Sequence, residues 1–82
     1  MIEILKFSAG WCTPCKVLSA TLKDVQNITN IDIDADRQKA IDYNVRSVPT
    51  LVFLKDGQEV QRKTGLMSLG QFQDILDNLN KQ

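Results

Sequence analysis

The chain has 82 residues, enough for one domain with a modest core, and we expect a single domain over 1–82. Lys plus Arg and Asp plus Glu both number 10, and this zero formal charge argues against nucleic acid or an acidic membrane as the main partner. No apolar run approaches the ~18 residues of a membrane span and no signal-peptide pattern opens the sequence, so a cytoplasmic location is expected.

The N-terminal third of the sequence predicts a strand followed by a helix. Residues 2–7 are dominated by Ile, Leu and Phe, which is typical of a strand buried on both faces of a sheet. Pro14 suits the first turn of a helix. Leu18, Leu22 and Val25 then recur at helical spacing and predict the buried face of that helix.

A second strand and a second helix are expected in the middle of the sequence. Asn27 and Asn30 interrupt the helical spacing, and the alternation of Ile and Asp over 31–34 predicts a short half-buried strand. Residues 35–43 predict a short helix. Asn44 is well placed to end that helix in the left-handed conformation.

The C-terminal half predicts a hairpin and a final helix. Residues 50–54 have the composition of a strand, 55–57 contain the Asp-Gly signal of a hairpin turn, and 59–64 are polar enough for an edge strand. Ser68 and Gln71 have the spacing of a capping box. The helix that they begin carries one apolar stripe, formed by Phe72, Ile75, Leu76 and Leu79.

The predicted element order is β-α-β-α-β-β-α, which indicates an α/β fold. A strand–helix–strand unit implies a right-handed crossover, so the first two strands should be parallel, whereas the final hairpin is antiparallel. We therefore expect a mixed four-stranded sheet with helices on both faces.

The two cysteines of the chain, Cys12 and Cys15, lie where the first strand meets the first helix. At a helix N-terminus, unpaired N–H groups and the helix dipole stabilise an anion, so the pKa of Cys12 should fall and its thiolate should be the nucleophile. Cys15, one turn further in, is expected to be more buried and to act second. Lys16 adds a nearby positive charge, and Pro14 stiffens the turn.

This arrangement predicts thiol–disulfide exchange. Cys12 attacks a disulfide of a partner protein and forms a mixed disulfide, and Cys15 then attacks Cys12 and releases the reduced partner. An external reductant restores the dithiol. The loop that the pair closes is too short to constrain the unfolded chain much, so a chemical purpose is more plausible than a structural one.

Residues 7–16, FSAGWCTPCK, resemble the active-site stretch of the thioredoxin family, and 48–50, VPT, resemble its cis-proline loop. Residues 55–57 and Gly65 also stand at family positions. The resemblance implies a thioredoxin fold of the compact, glutaredoxin-sized type, because the chain begins directly on the strand before the active site. It implies a substrate surface formed by Trp11, Thr13, Pro14, Val48, Pro49 and Gly65.

The resemblance also implies the cofactor and the partners. No cofactor is expected beyond a redox-active Cys12–Cys15 disulfide, and the expected partners are disulfide-containing proteins and an electron donor of the thioredoxin-reductase type. A monomer is the default. Trp11 is expected to be partly exposed, since Trp is enriched where surfaces recognise partners.

The sequence departs from the family at Lys6, where thioredoxins usually carry a buried Asp that relays a proton to the second cysteine. The Lys that commonly pairs with that Asp would align near Asn30, so both charges are missing and the relay cannot be transferred. One hypothesis is that Lys6 stabilises thiolate and lowers the cysteine pKa values. The alternative is that its ammonium extends to solvent.

Other functions remain open from the sequence. A glutathione-recycled glutaredoxin is disfavoured because Leu66 replaces the second glycine of its usual pair, and an oxidant or isomerase would need an export route. A Cu(I) carrier also uses Cys-x-x-Cys, but that class usually has Met at the position of Gly10 and ends on a strand. A non-catalytic scaffold would not need both thiols. No metal site is expected, since the chain has no histidine and residues 32–36 do not complete a calcium loop.

Overall fold

The computed structural model describes residues 1–81. The elements follow in the predicted order: β1 (Ile2–Ser8), α1 (Thr13–Thr21), β2 (Ile28–Asp32), α2 (Arg37–Asp42), β3 (Thr50–Lys55), β4 (Gln58–Thr64) and α3 (Leu69–Asn80). None of the helices within 1–81 is long and apolar enough to cross a lipid bilayer.

The four strands form one mixed sheet in the order β2-β1-β3-β4. β1 is parallel to β2 and antiparallel to β3, and β3 forms an antiparallel hairpin with β4. β4 lies at an edge, as its polar composition predicts. The parallel first pair and the antiparallel hairpin are both confirmed.

Helices cover both faces of the sheet, and each face has its own apolar core. The side chains of β1 contribute to both cores. Its Ile2 and Ile4 pack on the face of α1 and α3, whereas Leu5 and Phe7 pack on the face of α2. Lys6 is two residues from Ile4 and therefore faces α1, because side chains alternate along a strand. The first core contains Ile2, Ile4, Leu18, Leu22, Leu51, Phe53, Met67, Phe72 and Leu79.

The ends of α3 and the hairpin turn form as the sequence predicts. The backbone N–H of Gln71 donates to Ser68 Oγ at 3.1 Å, and the N–H of Ser68 donates to Gln71 Oε1 at 2.9 Å. A cap of this kind stabilises a helix by about 1 kcal/mol. Asp56 and Gly57 both have positive φ, 53° and 84°, as a two-residue hairpin turn of the favoured hand requires.

The boundaries around β2 differ from the prediction. The strand begins at Ile28 and ends at Asp32, so Asn30 lies inside it, whereas residues 33–34 form the following turn. Strand pairing uses backbone groups that asparagine also offers, and β1 supplies the partner. Of the two asparagines, only Asn27 lies outside the strand, and it has a left-handed backbone conformation with φ 65°. Its carbonyl accepts the N–H of Ile4 at 3.1 Å.

Two helices are also shorter than predicted. α1 ends at Thr21, and Leu22 and Val25 reach the core from the turn beyond it. α2 covers only Arg37–Asp42, because the N–H of Asp36 is used in a turn with the carbonyl of Asp32 at 2.8 Å. The predicted left-handed residue after α2 is confirmed, since Asn44 has φ 54°.

Candidate active site

The two cysteines are joined by a disulfide at the junction of β1 and α1. Cys12 is the N-cap of α1, with extended backbone angles (φ −93°, ψ 106°). Its Sγ accepts the backbone N–H of Cys15 at 3.2 Å. The Cα atoms are 5.3 Å apart, which lies within the usual range for a disulfide. The helix therefore begins with a sulfur in the position where side-chain oxygens usually cap.

Both cysteines are buried in the bridged form. Cys12 is 4% exposed and Cys15 is 3% exposed, and they form a small cluster with Ala9 that is flanked by Ile33 and Val48. The expected difference in burial is absent from this form, because the bridge and the N–H of Cys15 both hold the Cys12 sulfur against the first turn of α1. Position in the helix, not exposure, distinguishes the two sulfurs.

The loop before β3 lies against this cluster. The Val48–Pro49 peptide bond is cis, as the resemblance implied. The carbonyl of Pro49 accepts the N–H of Gly65 at 2.9 Å, and Gly65 has φ 92°, a region that favours glycine. Thr50 Oγ1 donates to the carbonyl of Ser47 at 2.8 Å. Val48 is half-buried and packs against the disulfide cluster, whereas the side chain of Pro49 is fully buried and its carbonyl holds the half-buried Gly65.

Trp11 stands beside the disulfide with 69% of its surface exposed. Its Nε1 donates to Asp34 Oδ2 at 3.0 Å. The backbone of Asp34 is itself fixed, because its N–H donates to Asp32 Oδ1 at 2.9 Å. The hydrogen bond fixes the indole ring while leaving its face open to solvent. The role of Trp11 in substrate binding stays a prediction.

Sequence reasoning missed Asp34 as the partner of Trp11. The alternation of Ile and Asp over 31–34 predicts a strand, yet the expected topology also carried a signal for this contact. Parallel neighbours end at the same edge of a sheet, so the residues after β2 had to lie near the residues after β1. The N–H of Ile33 donates to the carbonyl of Ser8 at 2.9 Å and makes this connection.

The first turn of α1 presents exposed residues to solvent. Thr13, Pro14 and Lys16 are all exposed, and Pro14 lies in the first turn as predicted. The backbone N–H of Lys16 donates to the carbonyl of Cys12 at 3.4 Å. Solvent around the ammonium of Lys16 screens its charge.

Lys6 lies under α1 instead of extending into solvent. It is 6% exposed, and its Nζ donates to Ser19 Oγ. Ser19 is four residues after Cys15 and so lies on the same side of α1, about one turn away. Asn30 is the strand neighbour of Lys6 in the register of β1 with β2. Burial without a neighbouring anion lowers the pKa of Lys6 below its ordinary 10.5.

The fold and this site together define a thiol–disulfide oxidoreductase of the thioredoxin fold. A sequence model described as thioredoxin matches residues 2–78. The thioredoxin of Chlamydia trachomatis is 41% identical over 71 residues, covering 79% of this chain and 70% of that protein. The thioredoxin of Staphylococcus aureus is 31% identical over 83 residues, covering 93% and 80%. The chain belongs to the thioredoxin family.

Solved structures agree with this assignment. A thioredoxin variant from Halobacterium salinarum superposes with a TM-score of 0.88 at 32% identity, covering 94% of this chain and 73% of that one. Mitochondrial thioredoxin from Saccharomyces cerevisiae, in its oxidised form, gives 0.81 at 29% identity, covering 93% and 77%. The predicted family, fold and oxidoreductase activity are thus confirmed. A thioredoxin needs no cofactor beyond its redox-active disulfide, here Cys12–Cys15.

The burial of Lys6 predicts a pH-dependent stability. Because its pKa is lower in the folded than in the unfolded chain, the folded chain binds fewer protons between the two values, and unfolding free energy rises with pH there. We expect the stability of the wild type relative to Lys6→Met to increase as the pH approaches 10.5. Urea unfolding at several alkaline pH values measures this difference.

The matched control is Lys63→Met, which removes the same charge from an exposed position on β4. Parallel stability profiles for wild type and Lys6→Met across the alkaline range would contradict the prediction.

Proposed function

We propose that this chain reduces disulfide bonds of other proteins, with Cys12 as the attacking thiol and Cys15 as the resolving thiol. The observation that carries this assignment is the hydrogen bond from the Cys15 N–H to Cys12 Sγ at 3.2 Å. When the bridge is reduced, the same N–H and the positive end of α1 stabilise a Cys12 thiolate. Cys15 lies inside the helix, so its own sulfur has no such position.

The reaction proceeds in two exchanges. The Cys12 thiolate attacks one sulfur of the partner's disulfide, and the other sulfur leaves as a thiolate that takes a proton. The Cys15 thiolate then attacks Cys12 Sγ, breaks the mixed disulfide and releases the second partner thiol. Two electrons have passed to the partner, and the chain is left with the Cys12–Cys15 bond.

The partner is proposed to bind as an extended segment over the surface around the disulfide. Trp11, next to Cys12, and Leu66, next to Gly65, are large apolar side chains that are 69% and 53% exposed, and apolar groups of this kind anchor protein partners. The residues assigned to this surface are Trp11, Thr13, Pro14, Val48, Pro49 and Gly65. The Asp34 carboxylate holds Trp11 in place for that contact.

Lys6 and Lys16 are proposed to favour thiolate over thiol at the cysteines. Lys6 supports this through its bond to Ser19, one helical turn from Cys15, in an environment that screens charge less than water does. Lys16 is exposed, so its contribution is the smaller.

Reduction of protein disulfides requires an electron source. We propose a reductase of the thioredoxin-reductase type as the donor, a cytoplasmic location, and a single-domain monomer as the working form. The pairing of β1 with both β2 and β3 supports one domain, since it joins both halves of the chain in one sheet.

The assignment of the two cysteines predicts an asymmetric trapping experiment. In Cys15→Ala, the mixed disulfide on Cys12 has no resolving thiol, so a stable covalent complex with an oxidised protein substrate should accumulate. In Cys12→Ala, the attacking thiol is gone and no complex should form at neutral pH. Non-reducing electrophoresis after mixing with a disulfide-containing protein measures both. Equal trapping by the two variants would overturn the assignment.

The proposed effect of Lys6 predicts a higher thiol pKa when its charge is removed. Titrating the reduced thiols by their ultraviolet absorbance, we expect Lys6→Met to titrate at higher pH than the wild type. Lys63→Met is the matched control, because Lys63 is exposed on β4. A thiol pKa unchanged in Lys6→Met would rule out the electrostatic effect.

The proposed donor predicts the reduction potential of the Cys12/Cys15 couple. Equilibration with a glutathione buffer should give a value near or below about −270 mV, the range of a cytosolic reductant. A value of about −200 mV or higher would instead favour glutathione-linked or oxidising activity.

A further inference from the structure

A pocket of about 420 Å³ opens beside β2, on the side of the sheet that α1 covers. It lies between β1, β2, the C-terminal half of α1 and the turn that follows. The lining residues are Lys6, Ser8, Ser19, Leu22, Lys23, Val25, Ile28 and Asn30. We call this the Lys6 pocket. It shares no residue with the disulfide cluster of Ala9, Cys12 and Cys15.

The charged residues that line the Lys6 pocket are all positive. Two of its lining residues are lysines and none is Asp or Glu. The whole chain carries no net charge, so the positive character is a local property of this pocket. A buried lysine is usually paired with an anion, yet the bond that Lys6 makes goes to the neutral hydroxyl of Ser19.

The donors in the pocket converge because of strand register. Lys6 and Asn30 are paired neighbours on β1 and β2, and Ser8 is two residues from Lys6, on the same face of β1. An ammonium has three N–H donors, of which Ser19 takes one. The remaining N–H groups, two hydroxyls and an amide thus surround the space. Oxygen atoms of an anion are the acceptors that match these donors.

The opposite part of the lining is apolar. Leu22, Val25 and Ile28 line the same pocket and pack on the edge of the first core. A ligand that satisfies the whole pocket therefore needs an anionic head and a short hydrocarbon part. We propose that the Lys6 pocket binds a small organic oxyanion, a carboxylate or a phosphate ester that carries a short apolar group.

A titration of the oxidised, ¹⁵N-labelled 82-residue chain tests this proposal. The probes are sodium acetate, sodium butyrate and methyl phosphate, each compared with sodium chloride at equal ionic strength. We expect saturable shifts of the backbone amides of Lys6, Ser19 and Asn30. Butyrate should bind severalfold more tightly than acetate, because its extra methylene groups contact the apolar wall.

Variants separate the pocket from general attraction of anions. Lys6→Met should weaken binding at least tenfold, whereas Lys63→Met, which removes an exposed lysine from β4, should leave it within twofold. Asn30→Asp retains Lys6 but places a carboxylate at the paired position, so it should also weaken binding at least tenfold. This second variant keeps the test valid if Lys6→Met fails to fold.

Each outcome decides the proposal. Saturable binding of a carboxylate or of methyl phosphate that depends on Lys6 supports it and identifies the preferred head group. Shifts that stay linear, match those of chloride, or persist unchanged in Lys6→Met and Asn30→Asp overturn it. The trapping reaction of Cys12 is independent of all these outcomes, so the proposed reductase function stands or fails separately.

Discussion

The placement of the Cys12 sulfur at the first turn of α1 is the constraint on which the site depends. The N–H of Cys15 can reach Cys12 Sγ only if Cys12 adopts the extended backbone of an N-cap and the helix begins directly after it. β1 meets this requirement, because it lies in the centre of the sheet with neighbours on both sides and so fixes where the chain emerges. The apolar faces of β1 therefore serve the chemistry indirectly, by holding the start of α1.

The same end of the sheet supplies the rest of the site through parallel pairing. β1 and β2 run side by side, so the residues after β2 meet the residues after β1, and Asp34 reaches Trp11. β3 runs the opposite way, and the loop that precedes it arrives at the same edge with Val48 and Pro49. Three chain segments that are far apart in sequence thus surround one disulfide: the Cys-x-x-Cys segment, the residues after β2 and the loop before β3.

The assembly of the site from distant segments explains how much of the fold and the site the sequence could predict. Element order, the capping box at Ser68 and the turn at Asp56 depend on local chemistry, and all were predictable. The start of β2 was not, because Asn30 is a poor strand residue that is held by pairing with β1. The Trp11–Asp34 hydrogen bond and the bond from Lys6 to Ser19 were also missed, since each joins residues more than ten positions apart. The cis peptide bond before Pro49 was predicted from family resemblance and not from composition.

Lys6 connects the redox site to the pocket beneath α1 with opposing consequences. In the role proposed for it, its ammonium would favour a nearby thiolate, while burial favours its own neutral form. An oxyanion bound at Lys6 would reverse both effects: it would stabilise the ammonium and thereby raise the pKa of Lys6, and it would offset the positive field at Cys15 one turn away. Linkage makes such coupling reciprocal, so reducing the disulfide to a thiolate would also weaken anion binding. A single buried charge whose hydrogen-bond partner is the neutral hydroxyl of Ser19 would be enough to couple the two proposed sites.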